Sequence, residues 1–259
     1  MRRLTVNDGE AFVRGLYAVL RAASKDETKP SLTAIRVQPE EDGGLLLVAT
    51  DTHRLAFARL PAAAVGWRRN LRPFHIQARA LRRDLRVSHA SVERLDFEGE
   101  DLVFAGDSEL LLSTPLVETD CYPDWSRIPK DSFAGSVRCV ADDMEATIRD
   151  LREHKPEAER LTFEFGSGKS RRVGIVCEEW GEERSSKPIA THRRYVEASI
   201  RLGEGAARAI CLNSQYLLDG LRPLRGEVAR LRFDGKLDVF RLDGGPGSWF
   251  EWYQMPMQR

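Results

Sequence analysis

At 259 residues, 42% hydrophobic and 31% charged, the chain exceeds the usual single domain and suits two packed domains of roughly 130 residues each. Lys plus Arg and Asp plus Glu both number 40, which excludes a protein that coats nucleic acid over its whole surface but leaves room for local basic stripes. The four cysteines (Cys121, Cys139, Cys177, Cys211) form no CxxC pair, and no apolar signal region or membrane-length apolar run occurs. The expectation is a soluble, cytoplasmic protein with free thiols, no metal and no cofactor.

In chain order, Phe12, Leu16, Val19, Leu20 and Ala23 recur at helical spacing and predict a helix over about Asn7 to Ser24, stopped by the polar run to Pro30. Strands follow at about Leu32 to Val37, Gly44 to Thr50 and Ala56 to Leu60, a meander with a turn at Pro39 to Gly43. A short helix over Gln77 to Leu85 buries Ala78, Leu81 and Leu85. Short strands are predicted near Val92 to Phe97, Leu102 to Ala105 and Leu110 to Thr114. The second half repeats this order. A strand at Ser136 to Val140 leads to a helix over Asp142 to Glu153 with Met144, Ile148 and Leu151 inside, then strands at Leu161 to Phe165 and Val173 to Cys177. Glu178 to Lys187 reads as a loop and Ala207 to Leu212 as a strand. Asn213 caps a helix that Pro223 closes, and Val228 to Phe233, Leu237 to Leu242 and Trp249 to Met255 complete the strands.

Three stretches stand out. Val48-Ala49-Thr50-Asp51-Thr52-His53-Arg54-Leu55-Ala56 places a polar turn between two strands. Cys121 to Lys130 (CYPDWSRIPK) is a stiff connector with two prolines flanking an aromatic. Trp252 to Arg259 (WYQMPMQR) brings methionines almost to the last residue, where sequences are normally polar. In this order they resemble the ATDGHRLA, FPDYRRVLPK and YVVMPMRL segments of the bacterial DNA polymerase III beta sliding clamp family. Asn213 to Asp219 likewise resembles its NVSYVLD helix start.

The resemblance covers essentially the whole chain and implies the α+β DNA clamp fold, two similar domains (1-129 and 130-259) each with paired helices backing antiparallel sheets. It matches the family's middle and last domains and lacks its first. The function it implies is a non-catalytic processivity factor that encircles double-stranded DNA and tethers DNA polymerase, repair proteins and clamp loader through a peptide pocket. Carried over by position, that pocket is Leu32, Thr50, His53, Arg54, Leu55, Pro123, Arg127, Ile128, Asn213, Tyr216, Met255, Pro256 and Met257. Leucine, isoleucine and adaptable methionines would supply apolar area, while Arg54, Arg127 and Asn213 would hold a glutamine side chain and peptide backbone. Three departures mark this chain: Thr52 replaces the signature glycine, Lys236 and Asp238 fall at pocket-floor positions, and the sequence ends Gln258-Arg259.

The DNA-facing residues would be Arg14, Arg21 and Lys25 with Arg79, Arg82, Arg83 and Arg86, which share helical faces. Arg149 and Arg152 in the second half would serve likewise, diluted by Asp150 and Glu153. Six domains in the family's dimer suggest a homotrimer of this chain, closed by head-to-tail contacts. The alternative is a clamp-derived adaptor or decoy that binds clamp-binding peptides without encircling DNA. A hydrolase built on Asp51 and His53 is the weakest reading, because no second His or carboxylate stands at ligand spacing and His75, His89, His154 and His192 read as surface residues. Gly166 to Ser170 imitates a P-loop, but Phe163 occupies the position of its first glycine and two strands flank it, so it reads as a hairpin turn.

Overall fold

The computed structural model describes residues 2–41, 43–61, 64–65, 72–84, 92–106, 110–118, 121–154, 159–166, 171–179, 188 and 190–258. The chain divides into two compact units, Met1–Trp125 and Ser126–Arg259, so the division falls inside the proline-flanked connector.

The first unit opens with a strand rather than a helix. Its order is β1 (Arg2–Val6), α1 (Gly9–Leu20), a 3-10 helix (Pro30–Thr33), β2 (Ala34–Pro39), β3 (Leu45–Thr50) and β4 (Arg54–Leu60). There follow β5 (Ala64–Val65), β6 (Phe74–Gln77), α2 (Ala78–Asp84), β7 (Arg94–Glu98), β8 (Asp101–Ala105) and β9 (Leu110–Pro115). The strands form an antiparallel sheet in the order β5-β1-β7-β8-β9 and a second run β4-β3-β2-β6. Asp8 caps α1 by accepting the Ala11 N–H at 2.8 Å, which sets the helix start one residue after the cap. Phe12, Leu16 and Val19 are fully buried along one face of α1. A side chain at Gly15 would stand 3.0 Å from Leu47, so the absence of a Cβ lets the helix lie close on β3.

The second unit runs β10 (Gly135–Val140), α3 (Ala141–His154), β11 (Arg160–Phe165), β12 (Arg172–Glu179), β13 (Ala190–Glu197), β14 (Ser199–Leu202) and β15 (Ala209–Asn213). It ends with α4 (Ser214–Leu221), a 3-10 turn (Arg222–Leu224), β16 (Val228–Phe233), β17 (Phe240–Asp243) and β18 (Phe250–Gln254). Its strands order as β14-β10-β16-β17-β18 and β13-β12-β11-β15. Substituting β10 for β1, β11 for β2 and so on to β18 for β9 reproduces the first unit's plan strand by strand. One chain therefore contains the same βαββββ-βα-βββ unit twice, which the sequence suggested only as a repeat of element order.

Several expectations are corrected here. Residues 32–33 belong to a 3-10 helix that precedes β2, because Pro30 fixes the local φ and Thr33 Oγ1 donates back to the Pro30 carbonyl at 2.8 Å. His75 is buried, 8% exposed, and stacks on Tyr122 at 5.1 Å between centroids. The strands flanking the P-loop imitation, β11 and β12, pair antiparallel, while residues 167–170 lie outside the described residues, as does His89. Among the described residues no helix is long and apolar enough to cross a membrane.

Candidate partner-binding residues and DNA-facing helices

The signature turn joins β3 to β4 and is held by its own side chains. Asp51 Oδ1 accepts the backbone N–H groups of His53 and Arg54, both at 3.0 Å, and Oδ2 accepts Arg54 Nε at 2.8 Å. Thr50 Oγ1 donates to the Arg54 carbonyl at 2.7 Å and accepts the Thr52 N–H at 3.2 Å. Thr52 takes φ +79, the one positive φ outside glycine among the described residues, so the turn keeps a glycine-type shape with a β-branched residue in it. His53 is exposed and Leu55 is buried. Both oxygens of Asp51 are thus engaged in shaping the turn. Among the described residues no group of His, Cys, Asp and Glu stands together to hold a metal.

The register Arg36↔Val48 and Thr50↔Leu55 brings the start of β2, preceded by buried Leu32, to the same end of the sheet as this turn. The connector lies on the same hairpin. Tyr122 donates to the Val48 carbonyl at 3.0 Å, and Trp125 meets Phe57 edge-on at 4.9 Å, which positions half-buried Pro123 between them. Leu32, Thr50, His53, Arg54, Leu55 and Pro123 therefore belong to one region of the first unit.

The second unit gathers the other group. Asn213 caps α4 through Oδ1, which accepts the Tyr216 N–H at 3.0 Å, and its carbonyl accepts Gln254 Nε2 at 3.2 Å. Met257 N–H donates to the Cys211 carbonyl at 2.8 Å, laying Met255, Pro256 and Met257 beside β15 and the start of α4. Met255 is 47% exposed, an unusual state for methionine that suits an adaptable contact. Arg127 and Ile128 are also exposed. Arg54 is ion-paired to Asp51, and the Asn213 amide oxygen accepts the cap hydrogen bond. Lys236 and Asp238 sit in the turn between β16 and β17, where Asp238 accepts the Gly235 N–H at 2.8 Å.

The basic stripes are sorted by the fold. Arg14 and Tyr17 are exposed on α1 and Arg21 is exposed as its C-cap; Tyr17 is an aromatic the sequence reading passed over. Lys25 is exposed but lies beyond the helix, which stops at Leu20, so helical spacing does not reach it. Arg82 turns inward: its guanidinium donates to the carbonyls of Leu20, Ala23 and Ser24 at 3.2, 2.6 and 3.3 Å and closes the C-terminal end of α1. Arg79 pairs with Glu27, Arg83 is exposed, and Arg86 lies outside the described residues. In the second unit Arg149 and Arg225 both hold Glu145, each at 2.6 Å, and Arg152 donates to Gln215 at 2.6 Å, joining α3 to α4. The hydrogen bond from Arg225, opposed by burial and reinforced by Arg149, holds the Glu145 carboxyl down at about 2.

Comparison with known proteins gives the following likenesses. The family model for the DNA polymerase III beta subunit, central domain, matches residues 8–70. The chain is 23% identical over 244 residues to the beta sliding clamp of Lactococcus lactis and 25% identical over 223 residues to that of Staphylococcus aureus. It spans 57% and 55% of the length of these curated relatives while 90% and 85% of the chain is covered. The beta chain of Streptococcus pneumoniae superposes with a TM-score of 0.80 at 19% identity, over 100% of this chain and 66% of that one. The sliding clamp of Bacillus subtilis gives 0.80 at 18% identity, over 98% and 64%. The fold is the DNA clamp fold. Within it, the chain is similar to the bacterial DNA polymerase III beta sliding clamps.

Proposed function

We propose that the chain is a sliding clamp subunit that encircles duplex DNA and tethers a polymerase, its loader and repair proteins through peptide contacts. The observation that carries this reading is the complete clamp unit present twice in one chain. Two units per copy give a six-unit ring from three copies in head-to-tail contact, provided each contact rotates by a third of a turn. The exposed face of α1, with Arg14, Tyr17 and Arg21, would meet phosphate, and Arg83 and Lys25 would add to it. The group around the signature turn and the group around Met255 to Met257 would each contact a partner peptide, with exposed apolar side chains as anchors.

A second reading is an adaptor that binds clamp-binding peptides without closing a ring. One observation favours it: Arg79, Arg82, Arg149 and Arg152 are engaged with groups of the protein itself, which leaves fewer cations for DNA. Light scattering over a range of concentrations separates the two. A mass of three chains, with retention on nicked circular DNA and loss on linearised DNA, is the expected result. A monomer at every concentration that still binds a polymerase-derived peptide would establish the adaptor instead.

A further inference from the structure

The strand run β14-β10-β16-β17-β18 of the second unit packs one face on the core, and its other face is buried around Asp243 and exposed toward β14. Side chains alternate across a strand, and the register fixes which ones share the outward face. Arg138 pairs across to Ser199 and Arg230, Ser136 to Arg201 and Arg232, Arg230 to Asp243, Arg232 to Arg241, and Asp243 to Glu251. That face thus carries five arginines against two carboxylates. Asp243, fully buried, takes the guanidinium groups of Arg230, Arg232 and Arg241 at 3.0, 2.6 and 2.8 Å. Arg241 also reaches Glu251 at 3.3 Å, and Phe133 lies over Arg232 at 5.2 Å.

The remainder of the face is uncovered. Arg138 and Arg201 are exposed and make no ion pair or side-chain hydrogen bond among the described residues. Val140 and Val228, directly opposite each other, are 45% and 42% exposed. Exposed valines side by side with unmatched arginines form a surface of mixed apolar and positive character. Beside them, no strand pairs with the outer edge of β14 among the described residues.

We propose that this outward face, from Val140 and Val228 to Arg138 and Arg201, docks an acidic, extended segment of a partner protein. Charge complementarity selects carboxylates, because the surplus cations face outward and the existing carboxylates are already shared. A peptide strand added at β14 would present every second side chain to Arg201 and Arg138. The intervening ones would meet half-buried Ile200 and Leu202. The partner is therefore a segment alternating acidic and apolar residues. The surface lies on a different part of the second unit from Met255 to Met257, and it stands whether or not the chain closes a ring.

The test is fluorescence anisotropy of the full chain with a labelled synthetic peptide alternating glutamate and valine. Its lysine-for-glutamate counterpart and a duplex oligonucleotide serve as comparisons. The acidic peptide should bind with an affinity that falls as salt rises. The double variant Arg138→Glu, Arg201→Glu should weaken it by at least about tenfold. Circular dichroism and thermal unfolding verify the variant's fold, and Arg138→Gln, Arg201→Gln replaces it if charge reversal disturbs folding. Failure of the acidic peptide to bind, or equal binding by wild type and variant, overturns the proposal. Loss of duplex binding in the variant with no peptide binding assigns the surface to nucleic acid instead.

Discussion

Thr52 holds a backbone conformation that a β-branched residue rarely adopts. A β-branched side chain at φ +79 is disfavoured by roughly 1–3 kcal/mol, yet the Asp51 carboxylate and the Thr50 hydroxyl hold the turn in that shape. Thr52→Gly should therefore raise stability by about 1 kcal/mol, after the added freedom of glycine in the unfolded chain is subtracted. A urea midpoint that rises at unchanged slope would agree, and a lowered midpoint would show that the threonine is not strained. His75 gives a second residue-scale prediction. Burial, and then the charge of Arg36, hold its imidazole down at about 4, against 6.5 for an ordinary histidine. The unfolded chain therefore takes up this proton first as pH falls. The stability associated with neutral His75 is present above about 6.5, is lost between 6.5 and 4, and changes no further below. In His75→Phe, which can keep the stack on Tyr122, the slope of unfolding free energy over that window should flatten by up to about 1.4 kcal/mol per pH unit. An unchanged slope would remove His75 from the acid sensitivity.

Strands and helices depend on partners that lie far away in sequence, and the Asp243 centre is the clearest case. Burial pushes its carboxyl up, but the hydrogen bond and charge of Arg232, the Gly245 N–H and the charge of Arg241 hold it below the usual carboxylate range. Asp243→Asn keeps the shape and removes the charge shared by arginines of β16 and β17, so it should cost on the order of 3 kcal/mol. A thermal midpoint within a degree or so of wild type would mean that Glu251 alone neutralises the group. No sequence pattern announces such a centre, because Arg230, Arg232 and Arg241 read simply as the polar side of alternating strands. The helices were legible for the opposite reason: Phe12, Leu16 and Val19 encode a buried face within the element itself. β13 escaped the sequence reading because Val196 is its one buried residue, and β14 because Ile200 and Leu202 alternate over four residues, too short a run to stand out. β1 escaped because Leu4 and Val6 alternate over too short a run to stand out from the helix that follows. In the candidate site, the signature turn was legible because its bonds are local, Asp51 to Arg54. The inward turn of Arg82 was not, since its acceptors lie about sixty residues earlier, at the end of α1.

For the whole molecule, a net charge of zero means that any attraction to DNA must arise from where cations sit rather than how many there are. The acidic and basic residues of α3 largely offset each other: Asp142 and Asp143 open it, and Arg149 is held by Glu145. The exposed face of α1 carries Arg14 and Arg21 with Tyr17, and Lys25 follows in the adjoining turn. Under the clamp reading, the first unit should thus supply more of the phosphate attraction than the second. Arg14→Glu, Arg21→Glu, Lys25→Glu should lower affinity for a short duplex by about tenfold or more and reduce the steepness of its salt dependence. The mass in solution, measured on the same variant, separates lost phosphate contacts from lost assembly. Arg149→Glu should have a smaller effect on the same duplex, because α3 carries Asp142, Asp143, Glu145, Asp150 and Glu153 with its arginines while Glu10 is the one acid of α1. If the order is reversed, with α3 more sensitive than α1, DNA runs along the second unit. If neither set matters while the mass remains that of three chains, a ring can be retained by enclosure alone, with little help from charge.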